Sequence, residues 1–171
     1  MKKEFLVNPN FGDFIRALNK HNVEYCITGA FAVSFHAEPR YTQDIDIYVA
    51  KNAENARNIA AAVKEFFGDQ NNIDNALFTE DKVILRMGIQ PNQIEISNTL
   101  SGLSEEDIIK HKVKSKFGDI ETYYIGLNEL LRNKMLVKGM THRGLKHKQD
   151  ERDYYMLQKV KDGKSGRKSK K

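Results

Sequence analysis

Two hydrophobic periods alternate along this chain, and the alternation predicts an α/β (α+β) domain. Phe11, Phe14, Ile15 and Leu18 recur at helical spacing, whereas Ile45 and Ile47 alternate with acids at the period of two that a strand requires. Glycine-containing segments at Gly68, Gly88 to Asn92 and Phe117-Gly118-Asp119 fall between the periodic stretches, where turns belong.

After Pro9-Asn10 the first amphipathic helix ends near His21-Asn22. Residues 25–28 read as a strand and 31–36 as a helix, which Glu38-Pro39 closes because a residue preceding proline avoids the helical region. Residues 44–49 form the second strand, and the alanine-rich stretch 52–67 is a helix stopped by Gly68. Residues 82–87 and 93–97 are strands joined by Gly88-Ile89-Gln90-Pro91-Asn92. Ser104 caps a short helix whose first turn carries Glu105, Glu106 and Asp107, acids favoured at the positive end of a helix dipole. Residues 113–116 and 121–125 make a hairpin, and 127–138 and 146–160 are the last helices.

The 171 residues fit one domain, 1–160, and at 40% hydrophobic they suffice for a core. No apolar run approaches the roughly 20 residues that span a bilayer, so no membrane association is expected. Met1-Lys2-Lys3-Glu4-Phe5 lacks the features of a signal peptide, and the lone Cys26 has no internal partner for a disulfide; both point to the cytoplasm. The net charge of +5 is concentrated at the C-terminus, where residues 159–171 hold seven basic residues and one acid. The rest, with 21 basic and 22 acidic residues, is nearly neutral. Residues 161–171 have no apolar side chain to offset the entropy of ordering and are expected to be a disordered basic tail. A second basic group, Arg132, Lys134, Lys138, Arg143, Lys146 and Lys148, contains no acid and is the better candidate for a phosphate-facing surface.

The chemistry is concentrated between Tyr25 and Val49. An apolar run ends in Gly29-Ala30, thirteen residues intervene, and Asp44-Ile45-Asp46 follows inside a second apolar run. On a strand, Asp44 and Asp46 project from one face while Ile45 and Ile47 enter the core. Carboxylates that close repel unless a cation sits between them, and Mg2+ takes one or two carboxylates together with water and substrate phosphates. Gly29-Ala30, placed where a strand turns into a helix, offers backbone N–H groups to the same phosphates.

Ile27-Thr28-Gly29-Ala30 followed by Asp44-Ile45-Asp46-Ile47 resembles the signature of the nucleotidyltransferase superfamily of the DNA polymerase beta type. Ala30 departs from it, since the pattern carries Gly or Ser there; the change forfeits one hydroxyl hydrogen bond, about 1 kcal/mol net. Arg40-Tyr41-Thr42 resembles the Arg-x-Thr that precedes the aspartates in small bacterial members, including the toxin-like AbiEii-type group. Glu95, in Gln93-Ile94-Glu95-Ile96, matches the acid that completes the family's metal triad. Leu100-Ser101-Gly102-Leu103, the segment Gly126 to Lys134, and Asp150-Glu151-Arg152-Asp153 with Leu157 are similar to downstream blocks of the same group, though Gln149-Asp150 stands where Lys-Asp is usual.

The resemblance implies a nucleotidyltransferase fold, a short mixed sheet carrying the metal site with helices behind it. It implies a magnesium-dependent transfer of a nucleoside monophosphate from an NTP to an acceptor hydroxyl. Asp44, Asp46 and Glu95 would bind two Mg2+ ions. Gly29, Ala30, Arg40, Thr42, Lys134 and Lys138 would hold the triphosphate. A tRNA end or a protein as acceptor, with an antitoxin partner, fits a toxin-like member of a two-gene defence system; an aminoglycoside or lincosamide fits the antibiotic-modifying members. A catalytically silent nucleotide- or RNA-binding module is the rival from another class, and an Asp-x-Asp glycosyltransferase is disfavoured by the shortness of the chain. His36 fills space, with lining the pocket as its alternative, His142 and His147 lack the neighbours of a zinc site, and core packing takes at least one of Tyr154 and Tyr155, with stacking a base as the alternative.

Overall fold

The computed structural model describes residues 9–140, 144 and 146–168. In chain order the elements are α1 (Pro9–Lys20), β1 (Tyr25–Ile27), α2 (Gly29–His36), β2 (Asp44–Val49), α3 (Ala53–Phe67), two short 3-10 turns (Asp69–Asn71 and Leu77–Thr79), β3 (Ile84–Met87), β4 (Gln93–Ser97), α4 (Glu105–His111), β5 (Val113–Phe117), β6 (Ile120–Tyr124), α5 (Leu127–Val137) and α6 (Lys146–Lys168). The expected α/β class holds, with the two 3-10 turns added.

The strands form one six-stranded mixed sheet in the order β3-β4-β2-β1-β6-β5. β2 runs parallel to β4 and antiparallel to β1, β1 is parallel to β6, and the hairpins β3–β4 and β5–β6 make the two edges. The β5–β6 connection is tighter than the sequence suggests. Phe117 pairs directly with Ile120, and Gly118 at φ 64° takes the first position of a two-residue turn, a left-handed conformation natural to glycine.

The helices pack through the apolar stripes already visible in the sequence. Phe14 of α1 meets Phe66 of α3 with ring centroids 5.2 Å apart, and Phe35 of α2 stacks on Tyr124 of β6 at 4.2 Å. Asn55, buried in α3, accepts from the Glu24 amide and donates to the carbonyls of Glu24 and Ala50, so the first turn of α3 is pinned to the adjoining ends of β1 and β2. Caps set the helix starts. The Asn52 side chain accepts from the Asn55 amide and Ser104 from the Asp107 amide, each satisfying a donor that the helix itself leaves free.

Helix α6 runs to Lys168, so residues 161–168 are helical where the sequence suggested a disordered tail. Positive charge near a helix C-terminus is favoured by its dipole, which offsets part of the helix-propensity cost of Gly163 and Gly166 beyond Val160. Residues 169–171 of that tail, Arg143 and His142 of the basic segment, and the N-terminal stretch Met1 to Phe5 lie outside the described residues. Among the described residues no helix is long and apolar enough to cross a membrane.

Candidate functional site

The strand pattern brings three acids to one face of the sheet. Ile45 and Ile47 are buried on the opposite side of β2, and the parallel register sets Asp44 beside Gln93 and Asp46 beside Glu95. These acids line a cavity of about 590 Å³ together with Thr28, Gly29 and Ala30 at the start of α2. That volume is within the range of about 300–1,000 Å³ common for small-ligand sites.

Gly29 explains how tightly the cavity floor is built. Its φ is 58°, and a Cβ added there would collide with the Asp46 carboxylate. Thr28, extended, donates its amide to the Asp46 carbonyl at 2.9 Å, which locks the entry of α2 against β2. Its side chain makes no capping bond, and the first amides of a helix have no partner within it, which makes them fit donors to an anion's oxygens. Gly29→Ala is therefore expected to cost at least about 2 kcal/mol of stability through positive φ and displacement of Asp46. Urea unfolding checks this, and a variant with the wild-type midpoint would mean that the turn relaxes freely.

The carboxylates are strained electrostatically. Burial, with the charges of Glu95 and Asp44 beside it, pushes the Asp46 carboxyl up to about 6, against a smaller opposing pull from Lys134. Asp44 Oδ1 is buried without a hydrogen-bond partner, while its Oδ2 accepts a long 3.4 Å bond from Gln90 Nε2. A buried, unsatisfied carboxylate oxygen beside a second carboxylate that resists ionisation is a donor set that a hard divalent cation would satisfy, and Asp44 and Asp46 fit one. Glu95 is differently placed. Its Oε2 accepts a 2.7 Å bond from Arg86 Nε across the β3–β4 pair, and among the described residues no three acids, histidines or cysteines cluster as a ready-made metal centre.

On the anion-binding side the structure gathers residues far apart in sequence. Lys134 of α5 is 6% exposed and stands 2.8 Å from Asp150 Oδ1 and 2.9 Å from Asp153 Oδ2 of α6. Arg40 Nε is 3.1 Å from Asp153 Oδ1, in an ion pair without hydrogen-bond alignment. Two cations and two anions thus form a neutral buried cluster at the cavity wall. Thr42 accepts from the Asp44 amide and donates to the Asp44 carbonyl, a local turn that fixes the start of β2.

Of the residues singled out in the sequence, Gly29, Ala30, Arg40, Thr42, Asp44, Asp46, Glu95 and Lys134 all line the cavity. Lys138 does not. It is the C-cap of α5, and its ammonium sits 4.8 Å from the Tyr154 ring centroid, which takes it away from the face shared with Lys134. Arg132 of the same basic group is engaged with Asp107 at 3.1 Å. The blocks around Leu100 and Asn133 turn out to touch each other, the Ser101 and Gly102 carbonyls accepting from Asn133 and Arg132.

Arg86, Gln90 and Lys146 also line the cavity, and the sequence reading gave none of them an individual role there. Arg86 was within reach of a pairing argument, because a hairpin turning at residues 88–92 sets it opposite Glu95. Lys146 opens α6 and is exposed, with no ion pair among the described residues.

No protein-family model matches the sequence, and no curated protein matches it. Solved structures do resemble the fold, among them the following two. An antigenic nucleotidyltransferase-like protein from Paracoccidioides brasiliensis aligns over 86% of this chain and 74% of its own, with a TM-score of 0.56 at 15% identity. The solution structure of the antibiotic-resistance factor ANT(2'')-Ia, described as showing substrate-regulated conformation dynamics, aligns over 94% of this chain and 91% of its own, with a TM-score of 0.54 at 10% identity. At these identities the likeness is one of fold, and the fold is that of nucleotidyltransferase-like proteins.

Proposed function

We propose that the protein is a nucleotidyltransferase that moves a nucleoside monophosphate from an NTP to an acceptor hydroxyl. The observation that carries this reading is the juxtaposition, in one cavity, of the strained Asp44–Asp46 pair with the open amides at the start of α2. A polyphosphate and a divalent cation need those two features side by side.

In the proposed reaction the acceptor oxygen forms a bond to the α-phosphorus, the bond from that phosphorus to the β-phosphate oxygen breaks, pyrophosphate leaves with its electron pair, and the hydroxyl proton passes to water. Asp44 and Asp46 would hold Mg2+, with Glu95 as the third ligand of a two-ion set. Bound there, Mg2+ lowers the acceptor's pKa and offsets charge on the phosphoryl oxygens. The α2 amides of Gly29 and Ala30 bind phosphate oxygens and do not reorganise during reaction. Lys146, at the cavity mouth, supplies the unpaired positive charge for the outer phosphates. Arg40 and Lys134, fixed by Asp150 and Asp153, shape the wall those phosphates meet.

Two acceptor classes have support. Arg40-Tyr41-Thr42 and the downstream blocks support the toxin-like reading, with a tRNA end or a protein as acceptor, an antitoxin partner and a cytoplasmic setting. The fold likeness to an antibiotic-resistance factor supports a small hydroxylated antibiotic. Incubation with Mg2+ and each α-32P-labelled NTP, presented in turn with tRNA, protein extract and aminoglycosides, distinguishes them by the product that retains label. Glu95→Gln should keep NTP binding and lower labelling at least 100-fold, about the scale of losing one group that stabilises transition-state charge. Wild-type labelling by that variant would exclude Glu95 from the chemistry. Failure of every acceptor, with NTP binding intact, would favour a silent nucleotide-binding module.

A further inference from the structure

Within the proposed site one contact has no part in the reaction as described. Arg86 lies on edge strand β3 directly opposite Glu95 of β4, its Nε donating to Glu95 Oε2 at 2.7 Å. The guanidinium is well exposed, at 61%, whereas Glu95 is 27% exposed and lies beside Asp46 in the neighbouring register. Because side chains alternate along a strand, Arg86 and Glu95 emerge on the same face as Asp44 and Asp46. The arginine is therefore a fixed positive charge on the cavity side of β3. It engages Glu95, the acid set beside Asp46 in the register, and the described residues contain no preformed three-ligand cluster.

We infer that Arg86 is a positioning residue that competes with a divalent cation for Glu95, occupying one oxygen of the third carboxylate. The inference rests on the nucleotidyl-transfer reading of the same acids. A carboxylate in a charge-assisted bond to a guanidinium has its charge already offset, and a cation arriving at Asp44 and Asp46 meets both that loss and the repulsion of Arg86. The protein then presents two carboxylates to the first ion. Recruitment of Glu95 requires that Arg86 find another anion, and its planar fork suits a phosphate.

Titration of Mn2+ into the full chain without nucleotide tests this, with affinity as the readout. Arg86→Gln, at an exposed edge position, should bind Mn2+ roughly fivefold more tightly than wild type, the scale of freeing a partly exposed ion pair. Arg86→Lys, which retains the charge, should stay near wild type. In a Glu95→Gln background the gain from Arg86→Gln should vanish, because no carboxylate remains to release. Unchanged or weaker affinity in Arg86→Gln, or an equal gain in the Glu95→Gln background, overturns the inference. The companion variant Asp46→Asn separates the two levels. Mn2+ binding that Asp46→Asn abolishes and Arg86→Gln leaves unaltered removes the role of Arg86 alone, whereas binding indifferent to Asp46→Asn, or absent throughout, removes the metal site and this inference with it.

Discussion

Asp44→Asn combined with Asp46→Asn should abolish Mg2+-dependent NTP binding and, in metal-free buffer at pH 7.5, leave the protein more stable than wild type. The two effects have one cause. Asp46 is raised to about 6 by burial and by the neighbouring Glu95 and Asp44 charges, so its ionised form is a cost to the fold. For a carboxyl raised in the folded state, the folded protein holds the proton more tightly, so the stabilising contribution is complete below the ordinary carboxyl range and is lost as pH rises through about 6. Two pH units correspond to about 3 kcal/mol at most, and the open cavity reduces this to about 2 kcal/mol. Chemical unfolding at pH 5 and 7.5 in EDTA should show wild type losing, relative to the double variant, roughly half of this increment, about 1 kcal/mol, between the two values. Calorimetric titration with Mg-ATP checks the binding half. Retained Mg-ATP affinity in the double variant would sink the site, and a double variant less stable at pH 7.5 would show that the aspartates are structurally compensated without metal.

Lys134→Met should be among the most destabilising single changes available, about 3 kcal/mol or more. Lys134 is the shared counter-ion of Asp150 and Asp153, which are 2% and 0% exposed, and removing one member of a buried ionic cluster leaves its partners desolvated and unpaired. Methionine preserves most of the volume, so the loss reports charge rather than a cavity. Adding Asp150→Asn should recover part of the loss. A single variant within 1 kcal/mol of wild type at pH 7.5 would mean that water or Arg40 takes over the pairing.

What could be read beforehand divides along a physical line. Local periodicity sufficed for β2, because the alternation of Asp44, Ile45, Asp46 and Ile47 fixes a face regardless of what lies beside the strand. Gly29 was legible for a similar reason, since a small residue between an apolar run and a helix implies a close backbone approach. Lys138 misled because it keeps the helical path, its amide donating to the Lys134 carbonyl, while its ammonium turns to the Tyr154 ring of another helix, which no spacing within α5 reveals. The length of α6 was missed because apolar composition measures packing, whereas a helix dipole favours basic side chains in the last turns without it. The pairing of Arg40 with Asp153 could not be anticipated at all, since nothing local to either residue names the other.

That last pairing has a consequence for the order of biosynthesis. Translation delivers Gly29, Asp44, Asp46 and Glu95 early, and the sheet that carries them can begin to assemble while α6 is still inside the ribosome. Arg40 and Lys134 then wait without counter-ions until Asp150 and Asp153 emerge, and two cations do not bury alone. The cavity wall is completed by a segment made after the acids, so a nascent chain that stalls before α6 carries Asp44, Asp46 and Glu95 without the wall that Arg40 and Lys134 form with Asp150 and Asp153.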